Sequence, residues 1–205
     1  MEIKQALSEL RNEKKRKFVQ SVDVVMNLKN FDVRREALNT FVFVPHGSPK
    51  KIAAFFQKRS DHIKTITEED FTKYKEMKDI KKLAKEYDCF IAVAPMMGKV
   101  ATKFGRVFGP MNKMPSPQAG IIPKEEPAMI DAMVKKLETA IRIKNKENSI
   151  KFTVGKEDMS DDDLAENITA AISGLKKKLP KGNDNVKEVL IKFTMTKPIA
   201  VVEKK

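Results

Sequence analysis

Half-buried strands stand at both ends of this chain, and neither end holds enough of them to make a stable sheet alone. In Phe18–Leu28, the residues Phe18, Gln20, Val22, Val24, Met26 and Leu28 fall on one side of an extended backbone, with Ser21, Asp23 and Asn27 on the other. Thr40–Val44 reads as a second strand, stopped by Pro45-His46-Gly47-Ser48-Pro49. The last third repeats this style with strands over Ile150–Val154, Val186–Met195 and Ile199–Glu203, the last two separated by Thr196-Lys197-Pro198. A sheet of fewer than three strands is marginal in water, so the two ends must combine into one discontinuous domain. Two helices are available to cover it. Glu2–Lys17 opens with Ile3, Ala6, Leu7 and Leu10 on one face. A second helix is capped by Ser160 with Asp163, carries Asp161-Asp162-Asp163 at its positive end, and presents Leu164, Ile168, Ile172, Leu175 and Leu179 as an apolar stripe. Lys176-Lys177-Lys178 in its last turn suits the opposite end of the helix dipole.

The middle of the chain alternates short apolar runs with helical ones. Lys51–Phe56 and Ile63–Thr67 read as strands, and Thr67-Glu68-Glu69-Asp70 as the entry of a helix reaching Tyr87. Cys89–Ala94 is a continuous apolar run, the pattern of a strand covered on both faces, with Cys89 an inert core residue. Met96–Phe104 is expected to be helical, Gly105–Gly120 a loop, and Pro127–Ala140 a helix with Met129, Ile130, Met133, Val134, Leu137 and Ile141 at core spacing. This alternation implies an α/β layer with parallel strands. The expected architecture is a discontinuous two-domain α+β/α/β protein: residues 1–47 and 145–205 form a split α+β sheet domain, and residues 48–144 an inserted α/β domain.

Charge narrows the function. The 205 residues carry 41 Lys+Arg against 28 Asp+Glu, a formal +13, which favours a polyanionic partner. Eight of those thirteen excess charges fall in residues 48–144, where Lys99, Lys103, Arg106 and Lys113 occur with no acid among them and are possible phosphate contacts. One cysteine and two histidines, His46 and His62, give neither a disulfide framework nor a zinc ligand set, so no metal and no cofactor are expected. Neither glycine-rich phosphate cradle occurs, Gly98, Gly105 and Gly109 fitting neither spacing. His46, between a proline and a glycine, reads as a turn residue bonded in place rather than a catalytic base. With those catalytic and cofactor signatures missing, no enzyme is expected; no run approaches the ~18 apolar residues of a membrane span, and the start Met1-Glu2-Ile3-Lys4 shows no apolar signal core, so the reading is an intracellular soluble protein.

Taken together and in order, Lys17-Phe18-Val19-Gln20-Ser21-Val22-Asp23, Val44-Pro45-His46-Gly47, Gly105-Arg106-Val107-Phe108-Gly109-Pro110-Met111-Asn112-Lys113-Met114-Pro115, Val154-Gly155-Lys156-Glu157-Asp158-Met159-Ser160 through Glu166-Asn167-Ile168, and Thr194-Met195 span nearly the whole chain. In these segments the chain resembles the large-subunit ribosomal protein of the L-one stalk family, in its archaeal branch. The resemblance implies an inserted domain of Rossmann-like, three-layer α/β topology, joined to the split domain by hinge strands that include Pro45, His46 and Gly47. It implies binding to a folded site on large-subunit rRNA, within the mobile stalk beside the tRNA exit site, where the ribosomal family assists release of deacylated tRNA. Many members also repress translation of their own mRNA. The cytoplasmic ribosome is the implied location, with no membrane partner.

The family's RNA contacts map onto Lys17 and Phe18, its Lys-Phe pair, Ser21, its small hydroxyl position, and Asp23, its acidic position, usually Glu. Thr194 and Met195 match the first two residues of its Thr-Met-Gly triplet. Here Thr196 replaces the glycine and Lys197 precedes Pro198, so both join the candidate RNA-binding residues. In the inserted domain Met111-Asn112 stands where Arg-Gly is usual. Strand parity sets Phe18 and Asp23 on opposite faces, which requires an irregularity between them or a packing role for Phe18. The competing reading is an RNA-modifying α/β enzyme with its site at the carboxyl ends of the inserted strands, which the missing glycine fingerprint disfavours. A peripheral membrane protein is disfavoured by zero Trp and two Tyr.

Overall fold

A computed structural model describes residues 1–13, 16–33, 36, 38–60, 63–74, 76–145 and 147–201. In chain order the helices are α1 (Ile3–Asn12), α2 (Met77–Glu86), α3 (Met97–Phe108), α4 (Pro127–Thr139) and α5 (Asp161–Lys176). The strands are β1 (Ser21–Leu28), β2 (Asn39–Phe43), β3 (Ile52–Phe55), β4 (Lys64–Ile66), β5 (Cys89–Val93), β6 (Ile121–Ile122), β7 (Ala140–Lys144), β8 (Ser149–Lys156), β9 (Val186–Phe193) and β10 (Ile199–Val201). The chain divides into two compact units, Met1–Ser48 with Thr139–Lys205, and Pro49–Glu138.

The split unit is built on an antiparallel sheet of order β10-β9-β1-β8, with both chain ends contributing strands as the period-2 patterns require. Val22, Val24, Met26 and Leu28 of β1, Val189, Ile191 and Phe193 of β9, and Ile150, Phe152 and Val154 of β8 are buried in one core with Ala6, Leu7 and Leu10 of α1 and the apolar stripe of α5. Ser160 caps α5, its Oγ accepting the Asp163 N–H at 3.1 Å. The aspartates do more than cap: Asp161 takes the Arg11 Nε–H at 2.6 Å and Asp162 the Lys4 ammonium at 2.5 Å, which ties α1 to the start of α5. Between Val22 and Asp23 the β8 register shifts from Gly155 to Thr153, a bulge at Val154. Gly155 there lies so close to α5 that a Cβ would fall 2.7 Å from Leu164 Cδ2 and 2.8 Å from Met159 Sδ, an approach only glycine permits without displacement.

β2 and β7 form a separate antiparallel pair, Thr40 opposite Ile143 and Val42 opposite Ile141. Ile141, expected on the stripe of the preceding helix, is therefore a strand residue, because α4 stops at Thr139 and the β-branched alternation of Ala140–Lys144 finds a partner in β2.

The inserted unit carries a parallel sheet of order β4-β3-β5-β6. Ala53, Phe55, Phe90 and Ala92 pack against Ile80, Leu83 and Ala84 of α2 and Val100, Phe104, Val107 and Phe108 of α3, while Ala54, Ile91 and Val93, of opposite parity, are buried too. This is the expected fold class, a sheet from both ends plus an inserted α/β layer. Four local expectations give way. Thr67–Tyr87 is not one helix: a 3-10 turn, Glu69–Lys73, is closed by Asp70 accepting the Thr67 N–H and hydroxyl, and α2 begins only at Met77. α3 runs through Gly105 to Phe108, because burial of Phe104, Val107 and Phe108 outweighs the helix cost of one glycine. Met129 is exposed at 37%, and Cys89, at the first position of β5, is only partly buried. The Glu203 end of the last expected strand and His62 lie outside the described residues.

Candidate nucleic-acid interface

Where β1 begins and β9 ends, two residues 173 positions apart join through both backbone and side chains. The Ser21 N–H donates to Thr194 Oγ1 at 3.0 Å, the two hydroxyl oxygens lie 2.9 Å apart, and the Thr194 N–H donates to the Ser21 carbonyl at 3.1 Å. Thr194 is exposed and Ser21 half-exposed. Next in the chain to Thr194, Met195 is 55% exposed, and the segment leading into β1 leaves Phe18, 53% exposed, and Val19, 59% exposed, in solvent. Lys17 and Lys197 are exposed as well.

The parity conflict between Phe18 and Asp23 is resolved by where the strand starts. Lys17 and Phe18 form a bend and β1 begins at Ser21, so Phe18 is not bound by strand alternation; it has no packing role in the core. The bulge between Val22 and Asp23 re-aims the strand further. Asp23, half-buried, accepts the Thr153 hydroxyl at 2.6 Å through Oδ1 and has Lys192 as its neighbour on β9. The Thr153 hydroxyl thus holds a carboxylate on the open face of the sheet.

Thr196 rebuilds the turn that a glycine would make. Its Oγ1 accepts the Phe193 N–H at 2.9 Å, its own N–H donates to the Phe193 carbonyl at 3.2 Å, and it does not use a left-handed backbone. The side chain turns back on the turn itself, half-buried, leaving Lys197 as the cation outside. Gln20, which sequence reading placed only as a strand residue, also supports this end: its Oε1 accepts the Met195 N–H at 3.1 Å. The signal was its parity, an amide aligned with Val22, Val24 and Met26, where a buried polar group needs partners.

His46 is clasped as a turn residue. Its N–H donates to Asn167 Oδ1 at 2.9 Å, and Asn167 Nδ2 donates to the His46 carbonyl at 2.8 Å and the Val154 carbonyl at 3.1 Å. Pro45 and Gly47 flank it, exposed. His46 Nε2 lies 2.7 Å from Glu166 Oε2 and 3.6 Å from Asp163 Oδ1. The Glu166 hydrogen bond raises the imidazole above its ordinary value of 6.5, against some desolvation and with help from Asp163. A group raised on folding stabilises in full below its unfolded pKa, and the contribution is lost as pH rises through the folded value. The Tm difference between the wild type and Glu166→Gln is therefore expected to be larger near about pH 5.5 than near about pH 8.5. An equal difference at both would show that the pair carries no charge-dependent stability.

The basic residues of the inserted unit separate. Lys103 and Arg106 on α3 are exposed, whereas the Lys99 ammonium donates to Glu68 at 2.5 Å. Lys113 is half-buried and its Nζ donates to the Ala84 and Tyr87 carbonyls at 2.7 and 2.6 Å, satisfying the end of α2 rather than facing solvent. At the carboxyl end of β3, the place where α/β sheets receive phosphates, Glu125 accepts the Gln57 N–H at 2.5 Å and the Lys58 N–H at 3.2 Å. An internal carboxylate already fills that pair of donors, which disfavours the enzyme reading. Among the described residues no helix is long and apolar enough to cross a membrane.

Comparison with known proteins gives a consistent picture. A family profile described as the ribosomal protein L1p/L10e family matches residues 10–197. The chain is similar to the large ribosomal subunit protein uL1 of Pyrococcus horikoshii, 38% identical over 203 residues that cover 92% of this chain and 89% of that protein. It is 37% identical over 203 residues to the protein of the same name from Thermococcus kodakarensis, covering 92% and 90%. With that of Methanobrevibacter smithii it is 32% identical over 215 residues, covering 98% and 99%.

Proposed function

The chain belongs to the ribosomal protein L1p/L10e family, and on that premise we propose that this structural protein of the large ribosomal subunit binds rRNA through the end of its split sheet. In this reading it forms the mobile stalk beside the tRNA exit site, assists release of deacylated tRNA, and uses the same surface to repress translation from its own mRNA. The observation that carries it is the convergence of Ser21, Thr194, Met195 and Phe18, with two hydroxyls and two exposed apolar side chains at one sheet end.

Hydroxyls and short side chains there suit the 2′-hydroxyls and sugars of RNA's shallow minor groove, and Asp23 Oδ2 is available to accept from ribose or base donors. Lys17 and Lys197 supply phosphate attraction at the rim, and Lys103 and Arg106 are exposed cations of the inserted unit. Pro45, His46 and Gly47 serve as the hinge segment. Thr194→Ala and Met195→Asp are each expected to weaken binding to a stalk rRNA fragment by about 1–3 kcal/mol, the scale of a lost specific contact. Affinity unchanged in both variants, measured by filter binding or calorimetry, would defeat the site assignment.

A further inference from the structure

Gln20 lies one residue before β1 and is only 3% exposed, yet none of its polar groups is wasted. Its Oε1 accepts the Met195 N–H at 3.1 Å, and its Nε2 donates to Glu157 Oε2 at 3.3 Å. The same Glu157 oxygen takes the Gln20 N–H at 3.2 Å, and the Glu157 N–H returns a bond to the Gln20 carbonyl at 2.8 Å. Arg11 fixes the far side of this assembly, donating from Nη1 to the Glu157 carbonyl at 3.0 Å and from Nη2 to the Met159 carbonyl at 2.7 Å. A chain of donors and acceptors therefore runs from α1 through the start of α5 and the end of β8 to the exposed Thr194–Met195 turn.

We propose that Gln20, held by Glu157, is a positioning residue for RNA recognition: it fixes the Met195 main chain in its binding geometry before RNA arrives. The inference rests on the reading of the sheet end as the RNA site. The turn's local bonds, Thr196 N–H to the Phe193 carbonyl and Phe193 N–H to Thr196 Oγ1, leave Met195 untouched; its N–H is held by Gln20. Without that bond Met195 must be ordered on binding, and the ordering entropy is taken from the affinity. Glu157 is needed because an amide free to rotate would present its NH₂ as readily as its oxygen. The Nε2–Glu157 bond fixes which end faces Met195.

The test uses the full chain and a stalk rRNA fragment, with Met195→Asp as reference. Gln20→Ala is expected to weaken binding about tenfold, the scale of one hydrogen bond, with the salt dependence of the affinity unchanged because no cation is lost. Hydrogen exchange at the Met195 amide should accelerate while the Val24 and Ile191 amides keep their protection. Gln20→Glu should also weaken binding, since it sets one carboxylate against another where an amide donated. Glu157→Ala, which removes the partner that fixes the amide's orientation, should also weaken binding, and Gln20→Ala combined with Glu157→Ala should lose little more than the larger of the two single losses, because both act through the Met195 N–H.

Wild-type affinity in Gln20→Ala, or losses in Gln20→Ala and Glu157→Ala that simply add in the double variant, overturns the proposal. So does a loss in Gln20→Ala accompanied by deprotection of the whole sheet, since Gln20 would then act only through stability. If Met195→Asp also binds normally, the RNA site itself is misplaced and the clamp falls with it. If Met195→Asp loses binding and Gln20→Ala does not, only the clamp is wrong.

Discussion

Replacing Asn167 with alanine is expected to destabilise the split unit by about 3 kcal/mol, because three backbone groups lose their partner, among them the Val154 carbonyl in the core. Asn167 is fully buried, and its one amide satisfies the His46 N–H, the His46 carbonyl and the Val154 carbonyl. These bonds join the turn after β2 to β8 through α5, so their loss is not local. Asn167→Asp keeps the shape and the acceptor for the His46 N–H but aims a carboxylate at two carbonyls inside the core. It is expected to cost at least as much as alanine, since an uncompensated buried charge is worse than a missing group. Hydrogen exchange at the β1, β8 and α5 amides measures both within the split unit, and a loss below about 1 kcal/mol for both would mean that the clasp is replaced at little cost. The Glu166-Asn167-Ile168 motif that contributed to the family resemblance thus has a structural explanation: Asn167 is a buried clasp, not a residue reaching toward RNA.

The second large effect belongs to the inserted unit. Phe55→Ala is expected to cost about 4 kcal/mol, within the range for removing a buried aromatic ring. Phe55 is fully buried at the centre of an aromatic cluster, with ring centroids 5.1 Å from Phe104, 5.6 Å from Phe90 and 6.0 Å from both Phe71 and Phe108. Removing it opens a cavity bordered by four rings held on a strand, a 3-10 turn and α3, and so unable to collapse together. Because a chain of two compact units need not unfold in one step, the measurement should be segment-resolved. Hydrogen exchange at the β3, β5 and α3 amides is expected to show the loss, and retained protection there would mean that the cluster repacks around alanine.

Much of this architecture was legible in residue spacing, and the places where it was not have identifiable causes. The alternation of Val22, Val24 and Met26 and the helix face of Ala6, Leu7 and Leu10 meet the same core that their periodicity predicts. Ala140 and Ile141 read as the end of a helix because Ile141 continues the helical stripe of α4 equally well, and only pairing with β2, about a hundred residues earlier, makes Ala140–Lys144 a strand. Phe18 was misread because alternation was extended through a bend that carries no strand hydrogen bonds. Lys113 read as a phosphate contact because charge along a sequence says nothing of which cations are consumed by carbonyls, here those of Ala84 and Tyr87.

The sequence by itself determined the local elements, the division into end strands and an α/β middle, and the residue types at the candidate site, because side-chain period and turn chemistry act over a few residues. Tertiary structure decided which of those residues act together. Ser21 meets Thr194 across 173 positions, Gln20 meets Met195 across 175, and Gln20 meets Glu157 across 137. Such partnerships are set by sheet register and helix docking, and the directional geometry of a hydrogen bond makes them all-or-none. A sequence states that Gln20 must be satisfied if it is buried; only the folded sheet end shows that what satisfies it is the main chain of Met195.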